Sequence, residues 1–232
     1  MFFEELVRLA RLLETTSSRN EKVVMLASAL KGLSPDEASI VVRLLTGEIF
    51  PAYSGLELGV GYGLLSEAVA SVKGIVPLER KKLTVKEVYE TLEKIAKVTG
   101  EDSRRRKLRM LQSLLVNMSW DEVEFLARFI LGEPRLGANE GLVLEALASA
   151  CSAGSEAVRK AYMFTGDIGD LASQLLGGVK PESIGLALFR PVRPMLAEMA
   201  SDVREALREC GGRAAIEFKY DGAPLHIHKR GR

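Results

Sequence analysis

Residues 19–48 read RNEKVVMLASALKGLSPDEASIVVRLLTGE, and residues 104–133 read RRRKLRMLQSLLVNMSWDEVEFLARFILGE. At an offset of 85, Arg19, Lys22, Met25, Leu26, Ser34, Asp36, Glu37, Arg43 and Gly47 meet Arg104, Lys107, Met110, Leu111, Ser119, Asp121, Glu122, Arg128 and Gly132. The match resumes at an offset of 78, where LELGVGYGLLSEAVA from Leu56 faces PRLGANEGLVLEALA from Pro134. The second copy is therefore seven residues shorter in the loop that holds Phe50, Pro51 and Tyr53 in the first. Such self-similarity marks a duplicated unit, and repeated units of this kind bury their apolar faces against one another.

The units read as helical. Phe3, Leu6, Val7, Ala10 and Leu13 recur at helical spacing, as do Val23, Leu26, Ala27 and Leu30. Ser34-Pro35-Asp36-Glu37 is a helix start, with serine as N-cap, proline at the first helical position and acids in the first turn. Gly47, Gly100, Gly132 and Gly177-Gly178 punctuate helix ends. Trp120, in the first turn of a helix, reads as a core anchor rather than a base-stacking platform.

Composition excludes several classes. No apolar run approaches the ~20 residues that a membrane helix needs. The start, MFFEELVRLARLLE, carries Glu4 and Glu5 where a signal peptide would be basic, so none is expected. Cys151 and Cys210 lie far apart without a CxxC or Cys/His companion, which argues against a disulfide framework or a zinc site. A cytoplasmic protein is expected. The 32 Lys and Arg residues and 31 Asp and Glu residues nearly cancel, so any polyanion site must come from local clusters.

Such clusters fall at equivalent places. Arg19-Asn20-Glu21-Lys22 and Arg104-Arg105-Arg106-Lys107 each follow a serine at a loop-to-helix junction. Helix N-termini present free N–H groups and a positive dipole end, and added arginine and lysine make a phosphate clamp there. Gly59, Gly61 and Gly63, with Gly137 and Gly141, mark a second equivalent pair of junctions, where glycine permits close backbone approach to a ligand. A pair of tight helix–helix turns without a ligand is the alternative reading of these glycines. Arg80-Lys81-Lys82 is a further basic run, and by itself a solvated helix face explains it.

Beyond Gly178 the character changes. Phe189-Arg190-Pro191-Val192-Arg193-Pro194 suits an extended linker. A short helix is expected over Met199 to Cys210, stopped by Gly211-Gly212. Alternation on both sides of Asp221-Gly222 then predicts a hairpin, running from Ala214 to Lys229. His226 and His228, the two histidines, alternate with Leu225 and Ile227 and read as the outward face of a strand, without a metal or acid–base role. Lys219-Tyr220-Asp221-Gly222 fits K-x-D-G, which alone would arise by chance in about one chain of this length in twenty.

In context these residues are more specific. Arg193-Pro194-Met195-Leu196-Ala197, Glu217-Phe218-Lys219-Tyr220-Asp221-Gly222 and Ile227-His228-Lys229 resemble the segment that joins the DNA-binding and adenylation domains of archaeal and eukaryotic-type ATP-dependent DNA ligases. Gly47-Glu48-Ile49-Phe50-Pro51, Glu57-Leu58-Gly59-Val60-Gly61, Arg135-Leu136-Gly137 and Asp167-Ile168-Gly169-Asp170 resemble that family's helical DNA-binding domain, in register and in order.

The resemblance implies a mainly α architecture in two parts. A duplicated helical DNA-binding domain covers residues 1–189, with pseudo-repeats at about 1–80 and 86–178. Residues 190–232 carry the linker, a short helix and the first strands of a nucleotidyltransferase domain. It further implies that Lys219 attacks the α-phosphate of ATP to form lysyl-AMP, which serves to seal a nick between a 5′-phosphate and a 3′-hydroxyl. Lysine suits this step because its neutral amine is a good nucleophile once its pKa is lowered. Glu217 matches the acid that reads adenine, and Asp221 and Gly222 form the turn that aims the lysine. Mg²⁺ is implied, with ligands outside this chain. Arg19, Lys22, Gly59, Gly61, Arg104, Arg105, Arg106, Lys107, Arg135 and Gly137 are the expected DNA-binding residues. Nicked double-stranded DNA is the expected partner of a monomer working in replication, repair and recombination at the nucleoid, with a sliding clamp as the recruiting factor.

Pro224 stands where the family carries an arginine after K-x-D-G-x. Either another cation, such as Arg230 or Arg232, takes its place, or the nucleotide is handled differently. The chain runs thirteen residues past Lys219, so it is expected to be inactive in ligation by itself. Two other readings stand beside this one: a helical-repeat scaffold for protein partners, and another lysyl-nucleotidyltransferase such as an RNA ligase or capping enzyme.

Overall fold

The computed structural model describes residues 1–75, 77, 79–132, 137–193, 199–218, 220–222 and 225–231. Eleven α-helices lie among them. The first repeat supplies α1 (Phe3–Thr15), α2 (Arg19–Lys31), α3 (Pro35–Thr46) and α4 (Tyr62–Val72). The second supplies α5 (Val85–Ala96), α6 (Ser103–Leu115), α7 (Trp120–Ile130) and α8 (Glu140–Ala150). α9 (Ser155–Thr165) and α10 (Ile168–Leu176) fall within the expected bounds of the second repeat but have no counterpart in the first, and α11 (Val203–Glu209) follows them.

Local chemistry sets the helix bounds. Ser34 and Ser119, equivalent in the repeat, each accept a hydrogen bond from the N–H of the glutamate three residues on, Glu37 and Glu122. Each glutamate answers by accepting the serine's backbone N–H, which closes a capping box. Gly47 ends α3 in the left-handed conformation, φ 90°. The apolar stripe of α1 is buried as its spacing predicts: Phe3, Leu6, Val7, Ala10 and Leu13 are all in the core. Each such side chain contributes about 1.5–3 kcal/mol on burial.

The repeats interlock rather than sit side by side. In the first repeat α2 packs along α8 of the second, while its counterpart α6 packs along α4 of the first. The contacts of α1 with α7 and of α5 with α3 form another reciprocal pair. An isolated antiparallel bridge, Phe2 to Thr84, joins the starts of α1 and α5. Each repeat thus covers the apolar faces of the other.

The helices that follow break this symmetry. α10 lies along α3, close enough that a Cβ on Gly169 would come within 2.6 Å of the Ser39 carbonyl oxygen and of the Arg43 guanidinium. Its other end brings Gly177 against Pro35. At the equivalent start of α7, Trp120 is 61% exposed, so the expectation of a core anchor is corrected. Nothing corresponding to α10 covers that corner among the described residues.

Two expectations for the C-terminal segment are also corrected. The short helix begins at Val203 rather than Met199, because Asp202 takes the N-cap and accepts the Glu205 N–H at 2.8 Å. The hairpin around Asp221-Gly222 is not formed: the described residues from Arg213 to Gly231 carry no strand. Ile216, Phe218, Tyr220, Leu225 and Ile227 are each more than four-fifths exposed. A strand needs a paired neighbour and a face to bury, and a lone hairpin is at best marginal in water. His226 and His228 therefore do not face outward from a sheet. His228 instead approaches the linker, where its Nδ1 accepts the Phe189 N–H at 3.1 Å.

Candidate nucleic-acid interface

Folding turns the two expected clamps into two cross-repeat corners. At the first, α2 begins after Ser18, which accepts the Glu21 N–H. Arg19 Nη2 reaches across to Glu145 Oε1 on α8 at 2.8 Å. Lys22 Nζ donates to the Gly137 carbonyl oxygen at 2.9 Å. Asn139 caps α8 by accepting the Leu142 N–H at 2.9 Å. At the second corner the roles are exchanged. Arg104 Nη2 reaches Glu67 Oε2 on α4 at 2.6 Å, and Lys107 Nζ donates to the Leu58 carbonyl oxygen at 2.7 Å.

Residues that match in the two copies thus make matching bonds, each to the opposite copy. The lysines tie down the glycine loops through carbonyl oxygens, while the arginines lie on the surface, more than half exposed. Gly59 and Gly137 both adopt positive φ, 60° and 64°, where a side chain is strained. Gly61 precedes α4 and offers no side-chain cap, so the first N–H groups of that helix meet no capping side chain among the described residues. Beside it Tyr62 is 73% exposed.

Other basic residues divide cleanly. Arg105 and Arg109 are exposed, without an ion pair among the described residues, and Arg106 donates to the Thr99 carbonyl oxygen at 2.6 Å. Lys81 and Lys82 are tied to Glu87 and Glu4, at 2.6 and 2.7 Å. Arg135 lies outside the described residues.

Electrostatics follow the contacts. The hydrogen bond from Arg19 holds the Glu145 carboxyl below its ordinary value, and Glu145 in turn raises Arg19. A different chemistry governs Arg43, 4% exposed. Burial acts against its charge, but hydrogen bonds to Asp167 (Nε at 3.0 Å, Nη2 at 2.7 Å) outweigh it and its pKa is raised. Arg43 Nη2 also reaches Asp170 at 2.7 Å, whose other oxygen accepts from the Tyr53 hydroxyl at 2.7 Å. Burial, then the charge of Asp167, raises the Asp170 carboxyl.

This buried group anchors the linker. Arg190 stacks on the Tyr53 ring at 3.7 Å and pairs with Asp170 at 3.3 Å. Arg193 bonds Glu140, faces the Tyr162 ring at 4.9 Å and lies 3.6 Å from Glu48, whose pKa burial raises. Sequence reading missed Tyr53, Glu67, Glu140 and Glu145. For the two glutamates Glu67 and Glu145 a signal existed, since they coincide at the offset of 78.

The expected nucleotide residues that are described do not converge on a pocket. Glu217, Asp221 and Gly222 are exposed and lie outside any helix or strand. Lys219, with Ala223 and Pro224, lies outside the described residues. Among the described residues no group of three or more His, Cys, Asp or Glu could hold a metal ion, and no helix is long and apolar enough to cross a membrane.

The family model for the DNA ligase N terminus matches this chain in two overlapping stretches, residues 2–79 and 73–148. A DNA ligase of Thermococcus fumicolans is 35% identical over 261 aligned positions, which take in 100% of this chain and 47% of the relative. DNA ligases of Thermococcus onnurineus and Methanocaldococcus jannaschii are 36% and 35% identical, again over the whole chain and 46% of the relative. The chain therefore spans a little under half the length of the curated relatives it matches. On the strength of the family match, which takes in the first repeat and the second as far as residue 148, with both glycine loops, the chain belongs to the DNA ligase N-terminus family, with archaeal DNA ligases among its relatives.

Proposed function

We propose that the interlocked helical repeats hold duplex DNA by its phosphates, at the two corners where Arg19 and Arg104 stand beside the Gly137 and Gly59 loops. The observation that supports this reading is the reciprocity itself. The same arginine and lysine recur, each bonded to the opposite repeat, the lysines at the loops that hold Gly137 and Gly59. Two equivalent cationic corners suit a polymer whose charges repeat, and contacts to phosphate carry no base sequence.

In the whole ligase, nick sealing belongs with Lys219 as the residue that carries AMP, Glu217 as the reader of adenine, and the Asp221-Gly222 turn. ATP and Mg²⁺ are the cofactors of that chemistry. The described residues here do not fit either group, because Glu217, Asp221 and Gly222 are solvent-exposed and no carboxylate cluster is formed. By itself the 232-residue chain is a DNA-binding unit that does not form enzyme-AMP. The boundary between the two functions falls at the linker that Arg190 and Arg193 pin to the helices.

Binding to nicked and intact duplexes at two salt concentrations tests the reading. Affinity should be independent of base sequence and fall steeply with salt, and loss of Arg104 or Arg105 should lower the log–log slope by about one each. Salt-insensitive binding, or none, overturns it.

A further inference from the structure

The two corner arginines are already engaged. Arg104 pairs with Glu67 at 2.6 Å and Arg19 with Glu145 at 2.8 Å, and no basic residue at these corners other than the arginines takes a carboxylate among the described residues. The arrangement is not an accident of one surface. Glu67 and Glu145 occupy equivalent positions on α4 and α8, and each crosses to the other repeat to meet its arginine. All four side chains reach water, with Arg104 66% and Glu67 45% exposed, Arg19 54% and Glu145 28%.

A carboxylate and a phosphate present similar oxygens to the planar guanidinium, and either can take it with two parallel hydrogen bonds. An exposed carboxylate–arginine pair contributes little net stability, so it exchanges readily for another anion. The lysines differ: Lys22 and Lys107 are fastened to carbonyl oxygens that a phosphate cannot replace without loosening the loop. Charge that is free to exchange therefore resides on the arginines.

We propose that Glu67 and Glu145 are built-in stand-ins for DNA phosphate. Each holds its arginine at the corner in the free protein and yields it when a phosphate arrives, and so sets how much polyanion charge is needed for binding. This rests on the phosphate-clamp reading above and deepens it. The consequence is opposite in sign to that of losing the arginines: removing the glutamate charge should tighten DNA binding. Arg159 also reaches Glu145, at 3.1 Å, so that glutamate restrains two arginines where Glu67 restrains one.

The test is a double-mutant cycle in the 232-residue chain, read as affinity for a nicked duplex at low salt. Glu67→Gln should tighten binding about two- to five-fold, the fold-change that corresponds to releasing an exposed ion pair. Glu145→Gln should tighten it independently. In an Arg104→Ala background Glu67→Gln should have no effect, because no arginine remains to be released. Equal tightening in both backgrounds would mean that the carboxylate acts only as distant negative charge, and would overturn the proposal. So would unchanged or weaker binding by both single variants, which would mark the glutamates as fixed positioning groups. Should the unsubstituted chain fail to bind DNA, the clamp reading and this proposal fall together; binding with inert glutamates removes this proposal alone.

Discussion

Arg43 and Arg128 stand at the same position of the two repeats and meet opposite fates. Arg43 is enclosed between α3 and α10, where it holds Asp167 through two nitrogens and Asp170 through one. Arg128 pairs with Glu14 at 2.8 Å, each side chain 29% exposed. The same contrast separates Pro35, packed on Gly177, from the exposed Trp120. Duplication made the two faces equivalent, and α10, which has no counterpart in the first repeat, covered one of them. In covering it they built the buried charge group on which the linker now rests.

The largest test of this contrast is truncation of the two arginines. Arg43→Ala deprives Asp167, 2% exposed, of the guanidinium that balances its charge, and should cost about 3–5 kcal/mol in urea denaturation. Arg128→Ala removes a pair that water reaches and should cost nearer about 1 kcal/mol. Equal losses would show that α10 contributes nothing special to its arginine.

The corner glycines give the next comparison. An alanine at Gly59 meets the left-handed φ and the mobile end of Lys107, and should cost about 1–2 kcal/mol. At Gly137 the same change also drives a Cβ to within 2.8 Å of the Leu13 carbonyl oxygen, a backbone atom that cannot swing aside. Gly137→Ala should therefore lower the melting temperature distinctly more than Gly59→Ala. Indistinguishable melting temperatures would show that the α1 backbone does not crowd the Gly137 loop.

The smallest effect concerns the start of α5. Glu87 accepts from Lys81 and from the backbone and hydroxyl of Thr84, which together pull its pKa from the ordinary 4.5 to about 2. A depressed carboxylate stabilises the fold above its unfolded value and ceases to do so as pH falls toward the folded one. This contribution should thus be complete above pH 4.5 and fade between there and about 2. Glu87→Gln should flatten that part of an acid-unfolding profile, and an unchanged profile would refute the assignment.

Much of the helical architecture was legible. The five core positions of α1 follow from spacing, and the Ser34 N-cap of α3 follows from four consecutive residues, because both depend only on neighbours along one helix. The candidate site was half legible. Arg19, Lys22, Arg104 and Lys107 stood out through the duplication, but their partners Glu145, Gly137, Glu67 and Leu58 lie 37 to 126 residues away in sequence. Trp120 was misread because an aromatic residue at a helix start is buried or bare according to what packs above it. The hairpin was misread because alternation shows what a strand could bury and not whether a sheet is there to receive it.

The sequence by itself determined that this protein is a pair of duplicated helical units with arginine, lysine and glycine at equivalent junctions, since hydrophobic period, capping residues and self-similarity are all written in local order. Only the tertiary structure decided that each unit is completed by the other, that the lysines hold loops while the arginines face carboxylates, and that α10 packs along α3 rather than along its counterpart α7. Those outcomes depend on which surfaces meet, and a contact across a hundred residues is set by the shape and charge of both partners at once.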